Sequence, residues 1–382
     1  MYPMAHRRPS RLMLGTLALA GLLLACTAPT SVPTPPKGAG PAEASAAAPG
    51  AAAAGAPAAG LLPTAAPASR AEVAPPREPW TYAHVSLTAT FWPHFVGMQL
   101  GYFDQEGLEL ERLVSPSSAQ LTAGIASGSI NSGAGLPDAY VRAVEQGAPV
   151  VIIASEMSTV IYSLMVSPSI QDFADLRGKA VGTSEPRGAT TLILRKMFGL
   201  GGLGEQDYDL LVVGGTRERY TALKAGTISA ALLSQPQDFQ LADEGFRRLA
   251  LSTASLKPYL VGALAANPDW MRQNEARTVR YLRALIRSAR WLTDPANKEA
   301  AIRILMDETK AEERYARLTY ELYLEEEQVV PPEAEVDPRS LDTVLDLMVE
   351  GNDLSSPRPP ASKYLDTSYW ERARGTAGAT GR

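Results

Sequence analysis

Between Trp80 and the middle of the chain, short continuous apolar runs alternate with longer stretches whose apolar residues recur at helical spacing. "TYAHVSL" is predicted to be a strand. "PHFVGMQLGYF" follows as a helix, with Pro93 suited to its first turn and Val96, Leu100 and Phe103 on one face. "LELERLV", after the turn residue Gly107, is the next strand. "SSAQLTAGIASG" is a serine-capped helix, "SINSGAG" a short strand and loop, "LPDAYVRAVEQG" a helix closing on Gly147, and "PVVIIASEM" a buried strand. Such alternation predicts an α/β fold with a mainly parallel sheet flanked by helices.

After "YSLMVSP" the pattern restarts. "KAVGTS", "YDLLVVG" and "ISAALLS" are predicted strands, separated by the helices "GATTLILRKMFG" and "RERYTALKAG", which indicates a second lobe. "PYLVGALAANPDW" reads as a strand returning to the first lobe, and Asn267 followed by Pro268 makes a helix start. Beyond it the chain is helical. The stripes in "EARTVRYLRALIRSARWLT", "ANKEAAIRILMDE" and "RSLDTVLDLMVEG" fit packed core faces.

The opening of the chain has a different grammar. Arg7, Arg8 and Arg11 precede an uncharged apolar stretch from Leu12 to Ala25, the order of a secretory signal, and the stretch is shorter than the roughly 20 residues that cross a bilayer. "LLAC" ends it on Cys26, the only cysteine of the 382 residues, and resembles the bacterial lipobox. A single cysteine closes no intrachain disulfide, so the expectation is cleavage after residue 25 and lipid attachment to Cys26. Residues 26–79 are nearly all Ala, Pro, Gly, Ser and Thr. They lack the aromatic and branched residues that bury a core and are expected to form a disordered tether of about 40 Å.

Charge and composition narrow the function. Loss of the three leader arginines takes the formal charge from -5 to -8, which disfavours nucleic-acid binding. No Gly-x-Ser-x-Gly elbow, no phosphate loop and no Cys or His cluster is present, so neither an enzyme nor a cofactor is expected. His6, His84 and His94 have no metal-ligand spacing, and Glu325, Glu326 and Glu327 read as a solvated face.

Ligands of open α/β sheets bind beyond the carboxyl ends of the strands, so the candidate residues come from the loops there. They are Thr88, Thr90, Phe91 and Trp92; Gly133, Ala134 and Gly135; Met157 and Ser158; Ser184, Arg187, Gly188, Ala189, Thr190 and Thr191; and Gln235. "SEPRGATT" is the most informative, because a guanidinium, a glycine, two hydroxyls and free N–H groups at a helix start suit an oxyanion. The same residue types also allow Arg187 to cap a loop or pair with a surface acid. The glycines of "NSGAG" either admit a ligand or make a turn, and Phe91 and Trp92 either stack on a ligand or pack.

"LGYFDQEGLELERL", "GAPVVIIASE", "DLRGKAVGTSEPRGATTLILRKMF", "YTALKAGTISAALLSQP" and "DEGFRRLA", in this order, resemble substrate-binding proteins of ABC importers of the nitrate, sulfonate and taurine class, which are similar in fold to thiamine-pyrimidine precursor binders. The cysteine-rich motif of the related eukaryotic synthases is absent. The resemblance implies a type II periplasmic-binding-protein fold. Residues 80–168 and 259–375 would form one lobe and 169–258 the other, with crossing strands near Tyr162–Pro168 and Pro258–Ala266 and a disordered tail at 376–382. It also implies a monomeric, lipid-anchored extracytoplasmic protein that closes over a small anionic or aromatic, pyrimidine-like solute and hands it to permease subunits. A sensing receptor that moves nothing, or a secreted enzyme on the same fold, satisfies the same residues.

Overall fold

The computed structural model describes residues 77–376. Cys26, the apolar leader, almost all of the tether and residues 377–382 lie outside them. Ten strands among the described residues form two five-stranded sheets. The first has the order β2-β1-β3-β10-β4, from β1 (Glu78–His84), β2 (Leu108–Val114), β3 (Ser132–Gly135), β4 (Val151–Met157) and β10 (Val261–Ala266). The second has the order β7-β6-β8-β5-β9, from β5 (Ser163–Val166), β6 (Ala180–Thr183), β7 (Asp209–Val212), β8 (Ala230–Leu233) and β9 (Arg247–Leu251).

The two sheets are built alike. β1 pairs in parallel with β2 and β3, while β10 runs antiparallel to β3 and β4. In the second sheet β6 pairs in parallel with β7 and β8, while β5 runs antiparallel to β8 and β9. Each antiparallel strand is thus the one that arrives from, or leaves for, the other lobe. The two crossings run side by side, with Thr159 bridging Tyr259. Because Ser163–Val166 pair with Leu233–Ala230, they belong to the second sheet, and the first crossing falls at residues 158–162, ahead of the Tyr162–Pro168 read from sequence.

Helices cover both sheets: α1 (Trp92–Gln99), α2 (Tyr102–Gln105), α3 (Ser118–Ser127), α4 (Pro137–Glu145), α5 (Ala189–Leu200), α6 (Thr216–Lys224) and α7 (Gln237–Asp243) within the lobes, then α8 (Pro268–Gln273), α9 (Glu275–Thr293), α10 (Lys298–Thr309), α11 (Glu313–Tyr320), α12 (Pro338–Glu350) and α13 (Ser368–Thr376). Local chemistry sets several of their ends. Ser117 accepts the Gln120 N–H to start α3, and Asn267 accepts from Asp269 and Trp270 to start α8, with Pro268 in the first turn. No helix among the described residues is long and apolar enough to cross a membrane.

A buried polar chain ties the first lobe together. Trp80 is stacked on Tyr281, ring centroids 4.1 Å apart, and donates its indole N–H to Ser132 Oγ at 2.9 Å. Ser132 donates to the Tyr281 hydroxyl at 2.8 Å, and that hydroxyl lies 2.6 Å from His94 Nε2. His94 Nδ1 lies 2.8 Å from Glu156 Oε2, and Tyr82 donates to Glu156 Oε1 at 3.2 Å. Burial makes such partners obligatory, and this chain joins β1, β3 and β4 to α1 and α9. His94 is therefore a packed structural residue.

His84, at the end of β1, is fully buried and donates its Nδ1–H to Ser86 O at 2.6 Å. Burial chiefly, helped by the nearby Arg112 and His94, pushes its pKa down to about 4. The ring is neutral in the fold and takes a proton more easily when unfolded, so the unfolded state gains protons first as pH falls. Its contribution is present above pH 6.5 and is lost between 6.5 and about 4, amounting to about 3 kcal/mol. Urea unfolding at pH 7 and pH 4.5 should show His84→Gln losing less stability on acidification than the unaltered protein. Equal losses in the two proteins would remove His84 as a cause.

Candidate functional site

The carboxyl ends of the parallel strands in the two sheets face one another across a cavity of about 120 Å³. Two of its walls come from equivalent places in the two sheets. The turn after the edge strand β2 brings Pro116, Ser117 and Ser118 to the start of α3, and the turn after the edge strand β7 brings Gly214, Gly215 and Thr216 to the start of α6. Both helices therefore present their amino ends to the cavity, where the helix dipole favours negative charge.

From the first lobe, Val85, Ser86, Thr90 and Phe91 enter from the loop after β1, and Gly135 and Leu136 from the end of β3. Ser184 and Glu185 enter from the loop after β6, Thr190 from the first turn of α5, and Ser234 from the end of β8. Tyr162 on the first crossing and Val261 and Gly262 at the start of β10 close the back. Gly262 has φ +60°, and a Cβ there would lie 3.4 Å from Thr90 O and 3.3 Å from Glu156 Cβ. Only glycine fits this left-handed turn without strain, so the backbone can pass close behind the cavity.

Among the described residues the one cation on the lining is Arg219, on the first turns of α6 and only 2% exposed. Its Nε donates to Leu232 O at 2.9 Å, one terminal nitrogen donates to Gly214 O, and the other reaches Thr216 Oγ1 at 3.4 Å. No carboxylate forms an ion pair with it among the described residues. Burial pulls its pKa below the usual arginine value, with Tyr162 and Glu218 acting in the opposite direction. The Tyr162 phenol is pushed up, again chiefly by burial, and stays protonated. On the other side of the cavity, Glu185 is half-buried. Its carboxyl is raised by burial first and by Asp138 second, and drawn down by Arg142.

Five of the sequence-derived candidates line the cavity: Thr90, Phe91, Gly135, Ser184 and Thr190. The last two belong to a hydroxyl cluster in which Ser184 Oγ lies 2.6 Å from Thr190 Oγ1, and Thr183 Oγ1 lies 3.0 Å from Thr190 and 2.6 Å from Thr191. Thr191 is fully buried and donates to Glu185 O at 2.6 Å, so it shapes the loop from behind. Thr88 sits behind Ser86, hydroxyls 3.3 Å apart.

The other candidates do not reach the lining. Trp92 is fully buried against Tyr320, and Ala134 lies inside the first sheet. A Cβ on Gly133 would meet Leu121 at 2.6 Å, so that glycine lets α3 pack closely on β3. Met157 is paired with Val261 in the sheet, and Ser158 donates to Val329 O at 3.0 Å. Gly188 and Ala189 begin α5. Gln235 is fully buried, donating to Asp238 Oδ2 at 2.9 Å and accepting from Tyr323 at 2.8 Å. Arg187 points outward, its side chain 66% exposed and paired with Asp353. The guanidinium of the cavity is Arg219, in the loop-and-helix segment after β7. Its signal was present in "VGGTRER", a strand end, two glycines and a helix start, because the end of an edge strand faces the same cleft as the ends of the inner strands. Among the described residues no group of three or more His, Cys, Asp or Glu side chains is arranged to hold a metal.

Comparison with known proteins agrees with this architecture. The nitrate/nitrite binding protein NrtA of Nostoc sp. is 23% identical over 272 residues, 64% of this chain, and this chain spans 62% of that relative's length. The periplasmic nitrate-binding protein NrtA from Synechocystis has a similar structure, with a TM-score of 0.66 at 16% identity, covering 80% of this chain and 89% of its own. The periplasmic aliphatic sulphonate binding protein SsuA from Escherichia coli gives a TM-score of 0.59 at 16% identity, covering 76% and 92%. These likenesses establish a periplasmic-binding-protein fold of two lobes, each with a mixed sheet. A match to the family over residues 88–298, more than half of the sequence, settles the relationship: the chain belongs to the NMT1/THI5-like family.

Proposed function

We propose that this protein is the extracytoplasmic solute-binding component of an ABC importer, capturing a small solute with an oxyanionic group between its lobes and delivering it to permease subunits. The observation that carries the reading is Arg219, a buried guanidinium on the cavity wall with no carboxylate partner among the described residues. Burying an unpaired charge is costly, and the cost is offset when a solute supplies the opposite charge. Three of the five N–H groups of Arg219 donate to Leu232 O, Gly214 O and Thr216 Oγ1, and the other two suit a planar or tetrahedral oxyanion. The amino ends of α3 and α6 and the hydroxyls of Ser86, Ser184, Thr190 and Ser234 add donors, while Phe91, Val85 and Leu136 suit an apolar remainder. Relatives named for nitrate and for aliphatic sulphonate support the same ligand chemistry.

Isothermal titration with nitrate, a short alkanesulfonate and an aromatic carboxylate tests this reading. At least one should bind, and Arg219→Met should weaken that binding by about 2–5 kcal/mol, the usual result of removing one partner of a buried charge pair. Arg219→Lys should recover part of it. Binding of a neutral pyrimidine with none of the three anions, or equal anion affinity in Arg219→Met, would contradict the anion reading.

The membrane attachment proposed for Cys26 rests on "LLAC" following an arginine-flanked apolar stretch. Cys26→Ser should stall processing or release the protein from membranes in cell fractionation. A serine variant that is cut at the same place and remains membrane-bound would exclude the lipid.

A further inference from the structure

The sequence singled out Arg187, and the cavity does not use it. Its guanidinium lies across the lobe boundary from the segment after α12, donating to both Asp353 and Asn352 O. That segment is tied to the strand entering the first lobe through α12, whose Ser340 O accepts from Leu260 N–H at 3.0 Å, and it folds back on the end of α12 where Asp353 N–H donates to Met348 O at 2.7 Å. Asn352 takes the left-handed conformation, φ 57°, which turns Asp353 back toward the protein. The Asp353 carboxyl is 1% exposed and also accepts from Arg142 of α4, whose Nη1 is 3.3 Å from Oδ2. Arg142 in turn donates to the backbone oxygen of Arg187 at 2.9 Å and pairs with Asp138. One buried carboxylate therefore takes a guanidinium from each lobe, and one of those guanidiniums also binds the opposite lobe's backbone.

We propose that Asp353, Arg187 and Arg142 form a clasp that favours the closed arrangement of the lobes and so sets solute affinity without touching the solute. None of the three lines the cavity. Separating the lobes would take Arg187 from a buried acid and leave Arg142 without the Arg187 carbonyl, so the open state loses several hydrogen bonds together. Lys196 and Glu350 cross the same boundary at 3.0 Å, but the pair is open to solvent, with Glu350 exposed and Lys196 partly so, and such a pair contributes little. Gly351 permits the approach, because a Cβ there would come within 2.7 Å of Leu192 on α5. The clasp is the reason an arginine next to a helix start need not be an anion ligand.

This inference rests on the binding-protein reading only for its effect on affinity, and lobe closure is measurable without a solute. Small-angle scattering of the full chain, free of solute, should give a larger radius of gyration for Arg187→Ala and for Asp353→Asn than for the unaltered protein. The double variant should expand no further than either single one. Titration with whichever of nitrate or a short alkanesulfonate binds should show affinity lowered roughly 5- to 30-fold, with the same non-additivity. Because Asp353 is buried, Arg187→Ala, an exposed change, decides the matter if Asp353→Asn does not fold. Unchanged dimensions in Arg187→Ala would overturn the clasp, whether or not an anion binds. Weaker binding with unchanged dimensions would also overturn it and return Arg187 to a direct role.

Discussion

The double crossing of the chain between two sheets is the constraint on which everything else depends. β5 and β10 each run against the other strands of the sheet they join, and Thr159 bridges Tyr259 where the crossings pass. Neither lobe can be completed without a strand that has just come from, or is about to enter, the other. The crossings lie side by side at the back of the molecule, and the carboxyl ends of the parallel strands meet in front of them. The cavity and the two facing helix starts follow from that topology.

The electrostatics follow from the same geometry. An acidic protein offers no general attraction to an anion, so a cleft that captures one must hold its positive charge locally and out of water. The turn after β7 does this by folding Arg219 back onto Leu232 O and Gly214 O, where carbonyl oxygens rather than a carboxylate steady it. A carboxylate at that place would satisfy the guanidinium permanently and compete with any solute. The outer boundary shows the opposite arrangement, with Arg187 and Arg142 both committed to Asp353. The charges proposed to favour closure are paired within the protein, and Arg219, the charge proposed for capture, has no carboxylate partner among the described residues.

Much of this was legible in the sequence. Short apolar runs and helical spacing marked most strands and helices, and Pro93, Gly147 and the Asn267–Pro268 step marked ends that the structure shows as helix boundaries. β9 escaped as a strand because "RRLAL" is a short edge segment carrying two arginines and half-exposed throughout. The cavity was harder to read. The loops after β1, β3, β4, β6 and β8 were singled out, whereas Ser117 and Arg219 come from the segments after the edge strands β2 and β7, and Tyr162 and Gly262 from the crossings. Arg187 illustrates the general difficulty: residue types at a helix start specify what a site can bind, but the direction of a long side chain is set by the acid it meets in three dimensions, here Asp353, 166 residues away in sequence.

A crystal structure of the protein with a bound solute tests the central claim most directly. An acidic group of that solute should lie within hydrogen-bonding distance of the Arg219 guanidinium, between the starts of α3 and α6, with Arg187 still on Asp353. A solute whose acidic group instead sits on Arg187, or whose contacts leave Arg219 without a partner, would contradict it.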